Sequence, residues 1–146
     1  MFILSKFAER LNDLIFEKGL QQNQLAEATG LTETSISQYV RGITQPTIKS
    51  LVALADYFKC STDFLLGDTD ANSEKKFLQC PEFSVSLKRI LADHNCSGYK
   101  LCKEAEIPQA SFYDWKNGNT YPSLDNLYKI ANYFDCTIDY LLGRES

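Results

Sequence analysis

Residues 25–46 read LAEATGLTETSISQYVRGITQP, and this stretch decides the fold. Leu25 and Ala26 face inward from a short helix that begins near Gln22 and ends at Thr29-Gly30. Thr32 is a good N-cap for the next helix, whose inward stripe is Ile36, Tyr39 and Val40, up to Gly42. ITQP then reads as a loop. Two short helices joined by the tight turn TGLT have helix-turn-helix spacing.

Upstream, Phe7, Leu11, Leu14, Ile15 and Phe16 recur at helical spacing until Gly19. Downstream, Ile48, Leu51, Leu54, Ala55 and Phe58 predict a fourth helix, and Ser61 caps a short fifth one that Gly67 stops. The unit is five short helices with no strand.

The chain then writes the unit again. Residues 101–122 read LCKEAEIPQASFYDWKNGNTYP, 76 positions on. Sliding residues 7–67 onto 83–143 needs no gap over 61 positions, and 16 of them are identical. ADYFKCSTDFLLG (55–67) returns as ANYFDCTIDYLLG (131–143). The second copy predicts helices near 82–94, 98–105, 109–117, 124–134 and 137–142, with Pro108 at the start of the third. A repeat this long is a duplicated domain, not a solenoid. The expected organisation is domain 1 at 1–67, a linker at 68–81 and domain 2 at 82–146, all-α throughout.

The ordered set of turn, RGITQP or NGNTYP, apolar helix and D-x-LLG resembles the lambda-repressor and Cro-like helix-turn-helix family, the XRE class. The resemblance covers nearly all of both repeats. It implies two tandem five-helix DNA-binding domains and a transcription regulator, a repressor by expectation. The family often pairs an Arg on its first helix with a Glu near the end of the third. Those places hold Ile15 and Val40 here, and Leu91 and Lys116 in the second copy. Replacing a buried ion pair by apolar groups is often neutral or stabilising, so the first departure leaves the fold intact.

Bulk properties narrow the chemistry. The chain has 146 residues, 44% hydrophobic and 23% charged, with net charge −4, which argues against binding any nucleic acid by bulk charge. No apolar run nears the roughly 18 residues that span a bilayer, and MFIL is too short for a signal-peptide core. A cytoplasmic protein without a membrane role is expected. Five cysteines at 60, 80, 96, 102 and 136 form no CxxC, which suggests neither a disulfide framework nor a zinc site. With one histidine, no glycine-rich phosphate loop and no G-x-S-x-G, neither catalysis nor a cofactor is expected.

The helical period points Glu33, Thr34, Ser37, Gln38 and Arg41 outward from the third helix. In the family that helix enters the major groove, which makes Glu33, Thr34, Ser37 and Gln38 the base-reading candidates of domain 1. Gln38 suits adenine, Glu33 suits cytosine N4, and Thr34 suits a thymine methyl. In domain 2 the candidates are Gln109, Ala110, Tyr113 and Asp114. Phosphate contacts are expected from Gln22, Arg41 and Thr44, and from Lys100, Lys116, Asn117 and Thr120.

The expected partner is double-stranded DNA, held by two covalently linked heads. The rival is a protein-interaction module or anti-regulator that keeps the fold without strong DNA binding, and a homo-oligomer or protein partner through domain 2 is a further expected partner. The low cation count favours the rival, and the intact turn and Gly/Pro loops favour DNA. Fully extended, the 14 residues 68–81 reach roughly 46–50 Å, at about 3.3–3.6 Å each.

Overall fold

A computed structural model of the chain describes residues 3–72 and 75–145. The described residues form ten helices and no strand. They fall into two compact units, Met1–Phe77 and Leu78–Ser146. Unit 1 holds α1 (Leu4–Glu17), α2 (Gln22–Thr29), α3 (Glu33–Val40), α4 (Ile48–Phe58) and α5 (Thr62–Leu65). Unit 2 holds α6 (Phe83–Asp93), α7 (Gly98–Ala105), α8 (Gln109–Lys116), α9 (Leu124–Tyr133) and α10 (Ile138–Leu142). This is the tandem lambda-repressor-like plan that the repeat predicts.

Side-chain caps set the helix starts. Thr32, Thr47 and Ser61 accept from the backbone N–H of Ser35, Ser50 and Phe64 in unit 1. Ser97, Ser123 and Thr137 do the same for Lys100, Asn126 and Tyr140 in unit 2. Each such cap is worth about 1 kcal/mol, which matters for helices too short to be stable alone.

The two cores use the same positions. Phe7, Leu11, Leu25, Ile36, Leu51, Leu54 and Leu65 are buried in unit 1; Phe83, Leu87, Leu101, Phe112, Leu127, Ile130 and Leu141 are buried in unit 2. Tyr39 meets Phe7 edge-on at 5.8 Å, and its counterpart Trp115 meets Phe83 edge-on at 6.5 Å. Both large rings are therefore core, in agreement with the inward stripe.

A second equivalence is hidden from position-by-position alignment. In unit 1, Arg10 donates to the Phe64 carbonyl at 2.6 Å and stacks on the Phe64 ring at 3.9 Å. In unit 2, Arg89 donates to the Tyr140 carbonyl at 2.7 Å and lies over the Tyr140 ring at 5.3 Å. Phe64 and Tyr140 are repeat mates, but Arg10 aligns with Ser86, three residues before Arg89. Residues three apart share a helix face, so either position reaches the same carbonyl.

Both ends of 68–81 are tied down. Arg10 also donates to the Thr69 carbonyl at 3.2 Å and to Asp70 Oδ1 at 2.9 Å. Leu78 N donates to the Arg144 carbonyl at 2.7 Å, and the Cys80 thiol lies 3.4 Å from the Leu142 carbonyl. Pro81 packs so closely that a Cβ on Gly143 would sit 2.9 Å from its Cδ. The eight steps from Asp70 to Leu78 extend at most roughly 26–29 Å, at about 3.3–3.6 Å each.

The packing of the start of α7 on α8 differs from its unit 1 counterpart. A Cβ on Gly98 would lie 2.5 Å from the Phe112 ring, which is 2% exposed and has nowhere to go. The mates are Gln22 and Ile36, a larger residue against a smaller one. Gly98→Ala is accordingly expected to cost about 1–3 kcal/mol by overpacking. That outweighs the roughly 0.5–1 kcal/mol an alanine normally gains over glycine inside a helix. Thermal denaturation checks this, and the loss should disappear in a Phe112→Ile background.

Candidate nucleic-acid interface

The second helix of each helix-turn-helix pair, α3 or α8, is positioned from behind. Ile36 and Tyr39 anchor α3 in the core of unit 1. Asn12 Nδ2 donates to the Val40 carbonyl at 2.8 Å and to the Ala8 carbonyl at 2.9 Å, tying the C-terminus of α3 to α1. In unit 2, Phe112 and Trp115 anchor α8. Lys129 Nζ reaches the Glu106 carbonyl at 3.2 Å, bracing the turn before it. Glu106 itself takes the left-handed conformation, φ 58°, that Gly30 takes in unit 1 at φ 76°.

With those anchors fixed, the opposite faces are presented to solvent. Glu33, Thr34 and Arg41 are exposed, and Ser37 and Gln38 are half-buried. Gln109, Ala110, Tyr113 and Asp114 are exposed, together with Asn117 and Thr120. Each set shares one helix and its following loop. The side chain of Arg41 folds back, its Nε donating to the Ser37 carbonyl at 3.3 Å, and it must swing out to meet a phosphate.

The expected phosphate contacts differ in readiness. At the start of α2, the Gln21 and Gln24 side chains form a capping box that occupies the N–H groups of Gln24 and Gln21. An anion there would be met by the N–H groups of Gln22 and Asn23. At the start of α7, Ser97 occupies the Lys100 N–H, while the Lys100 side chain is exposed. Lys116 is half-buried. The Thr44 hydroxyl is buried and has no hydrogen-bond partner among the described residues, so it does not face a phosphate in this conformation.

The loop after α8 is closed by Tyr121, whose hydroxyl donates to Glu82. Burial first, then that hydrogen bond, pushes the Tyr121 pKa up to about 12, so the phenol stays a donor at neutral pH. Burial likewise pushes the Cys136 thiol up to about 11, away from nucleophilic chemistry. None of the five cysteines is in a disulfide. Among the described residues no His/Cys/Asp/Glu cluster could hold a metal ion, and no helix is long and apolar enough to cross a membrane.

Two short helices with an outward-facing second member occur in each unit, and residues 86–146 match the family described as Cro/C1-type HTH DNA-binding domain. Residues 14–65 match the helix-turn-helix family. The chain belongs to the Cro/C1-type, or XRE, family of DNA-binding helix-turn-helix transcription regulators. It is 35% identical over 81 residues to the SPbeta prophage-derived HTH-type transcriptional regulator YonR of Bacillus subtilis, covering 55% of this chain and 75% of that one. To the HTH-type transcriptional regulator YobD of the same organism it is 32% identical over 107 residues, 70% of this chain and 88% of that one. A transcriptional regulator from Listeria innocua, known as a crystal structure, is 31% identical, with a TM-score of 0.41 over 69% of this chain and 87% of that one.

Within this family frame, sequence reasoning missed the tyrosine of α7. Tyr99 is 64% exposed at the second position of that helix, and its unit 1 mate is Asn23. Its signal was available: an aromatic two residues before Leu101, where the helical period points away from that buried side chain.

Proposed function

We propose that this chain is a sequence-specific double-stranded DNA-binding regulator, working in the cytoplasm as a repressor, with two covalently linked heads. The observation that carries the reading is the division of α3 and α8. Ile36, Tyr39, Phe112 and Trp115 are core, and Glu33, Thr34, Ser37, Gln38, Gln109, Ala110, Tyr113 and Asp114 remain at least partly open to solvent. Side chains of these types match base edges in the major groove. Arg41, once swung off the Ser37 carbonyl, and Lys100, Lys116 and Asn117 are the proposed phosphate contacts, with polar contacts from Thr120 and Gln22. Occupying a site with two heads is enough to exclude another protein, which makes repression the proposed mode.

Gln38→Ala should cost about 1–3 kcal/mol on the preferred site and relax one base position. Arg41→Ala should weaken all sequences alike. Titrations against the preferred duplex and its single-base variants check both. If Gln38→Ala discriminates as well as the parent, α3 does not lie in the groove as assigned.

A second reading is favoured by Tyr99 and Tyr113, 64% and 52% exposed. Exposed aromatics are enriched at protein interfaces, so unit 2 would then carry a homo-oligomer or a protein partner in place of DNA. Tyr113→Ala separates the two. Loss of DNA affinity supports the first reading; loss of self-association with DNA binding intact supports the second.

A further inference from the structure

We infer that the two heads read unlike half-sites, so that the operator of this chain is non-palindromic and is not a simple direct repeat. This rests on the DNA-binding reading above and goes beyond it by stating the chemistry of each half. The mates on the outward faces are Glu33 and Gln109, Thr34 and Ala110, Ser37 and Tyr113, Gln38 and Asp114, Arg41 and Asn117. No pair is identical, and all but Thr34/Ala110, either of which can meet a thymine methyl, change what the face can recognise. The positions that hold those faces in place do not change in kind. Ile36 and Phe112 are both buried, as are Tyr39 and Trp115, and Gly42/Gly118 and Pro46/Pro122 are the same.

The sharpest difference is Gln38 against Asp114. An amide accepts from adenine N6 while donating to N7. An ionised carboxylate cannot donate, and it suits the cytosine N4 amino group. Equivalent positions therefore prefer different bases. At Ser37 against Tyr113, a small hydroxyl is set against a phenol that projects from α8. The Tyr113 ring is propped edge-on by Phe112 at 5.5 Å, a backing that Ile36 does not provide in unit 1. Tyr113 beside Ala110 widens the apolar surface that head 2 offers a thymine methyl, where head 1 has the Thr34 methyl beside the small Ser37. The Gly98–Phe112 approach also gives head 2 its own packing of α7 on α8. Two heads with common scaffolds and unlike faces are fitted to unlike sequences. Each mismatched base contact lowers affinity roughly 5- to 150-fold.

The test uses the intact chain and the duplex it selects from a random pool. Each half of that duplex is replaced by a copy of the other, in both orientations, with the spacing kept. The selected duplex should bind at least about 10-fold more tightly than every symmetrised version. The double variant Ser37→Tyr/Gln38→Asp should move the preference towards the duplex carrying two copies of the head 2 half. Its helical content is checked by circular dichroism, and the symmetrised duplexes with the parent chain give an answer that needs no variant. A symmetrised duplex that binds the parent as tightly as the selected one overturns the inference and leaves the DNA reading standing. A pool that yields no preferred duplex overturns both.

Discussion

Cutting the chain inside residues 71–77 is expected to lower its affinity for its DNA site by about 10²- to 10⁴-fold while both units stay folded. The loss comes from effective concentration. While the heads are joined, binding of one delivers the other to its half-site without a second encounter. The place of the cut matters. Arg10 holds Thr69 and Asp70 to unit 1, and Leu78 and Cys80 are bonded within unit 2. A protease site built into 71–77 spares all of these contacts, whereas a cut at Leu78–Pro81 would strip unit 2 of its own packing. Gel-shift titration of one preparation before and after cleavage gives the ratio. Equal affinities would mean that one head carries the binding, and unit 2 would then serve a partner.

The second large effect concerns stability. Arg144 and Asp139 form an ion pair inside unit 2, with Arg144 0% and Asp139 2% exposed. Arg144→Ala should destabilise unit 2 by about 3–5 kcal/mol, because a buried carboxylate loses its cation. The double variant Asp139→Leu/Arg144→Met should recover most of that, since a hydrophobic replacement of both partners removes the desolvation penalty as well. Urea denaturation of the three proteins measures it. Unit 1 makes the same backbone turn with Asp63 and Asp68 at the two places. Asp68 N donates to the Asp63 carbonyl at 2.9 Å where Arg144 N donates to the Asp139 carbonyl at 2.8 Å, and Asp68 is exposed. A fall in unit 1 stability with Arg144→Ala would contradict this assignment.

Much of the fold was legible because short-range signals agree with one another. Thr32, Ser61 and Gly30 mark helix ends that the structure places where the caps predict. Ile36 and Tyr39 of the expected inward stripe are buried, as the period predicts, while Val40 is only half-buried. What stayed hidden depends on side chains meeting across the unit. Arg10 and Arg89 do one job from positions three residues out of register, which alignment of mates cannot reveal. Gly98 looks like a weak helix start until Phe112 is seen against it. Arg144 follows the last helix, yet among the described residues it is the largest fully buried side chain. At the interface, period tells which residues face outward but not which are ready. The Thr44 hydroxyl faces inward, and the Arg41 side chain is folded onto its own helix.

The claim at the centre of this account is that α3 and α8 read base sequence, and selection from a random pool of duplexes tests it most directly. The intact chain should enrich one bipartite motif, and Gln38→Ala and Tyr113→Ala should each degrade a different half of it. A pool that emerges as random as it began, at salt near 0.15 M, would contradict the account and leave the fold as a platform for protein contacts.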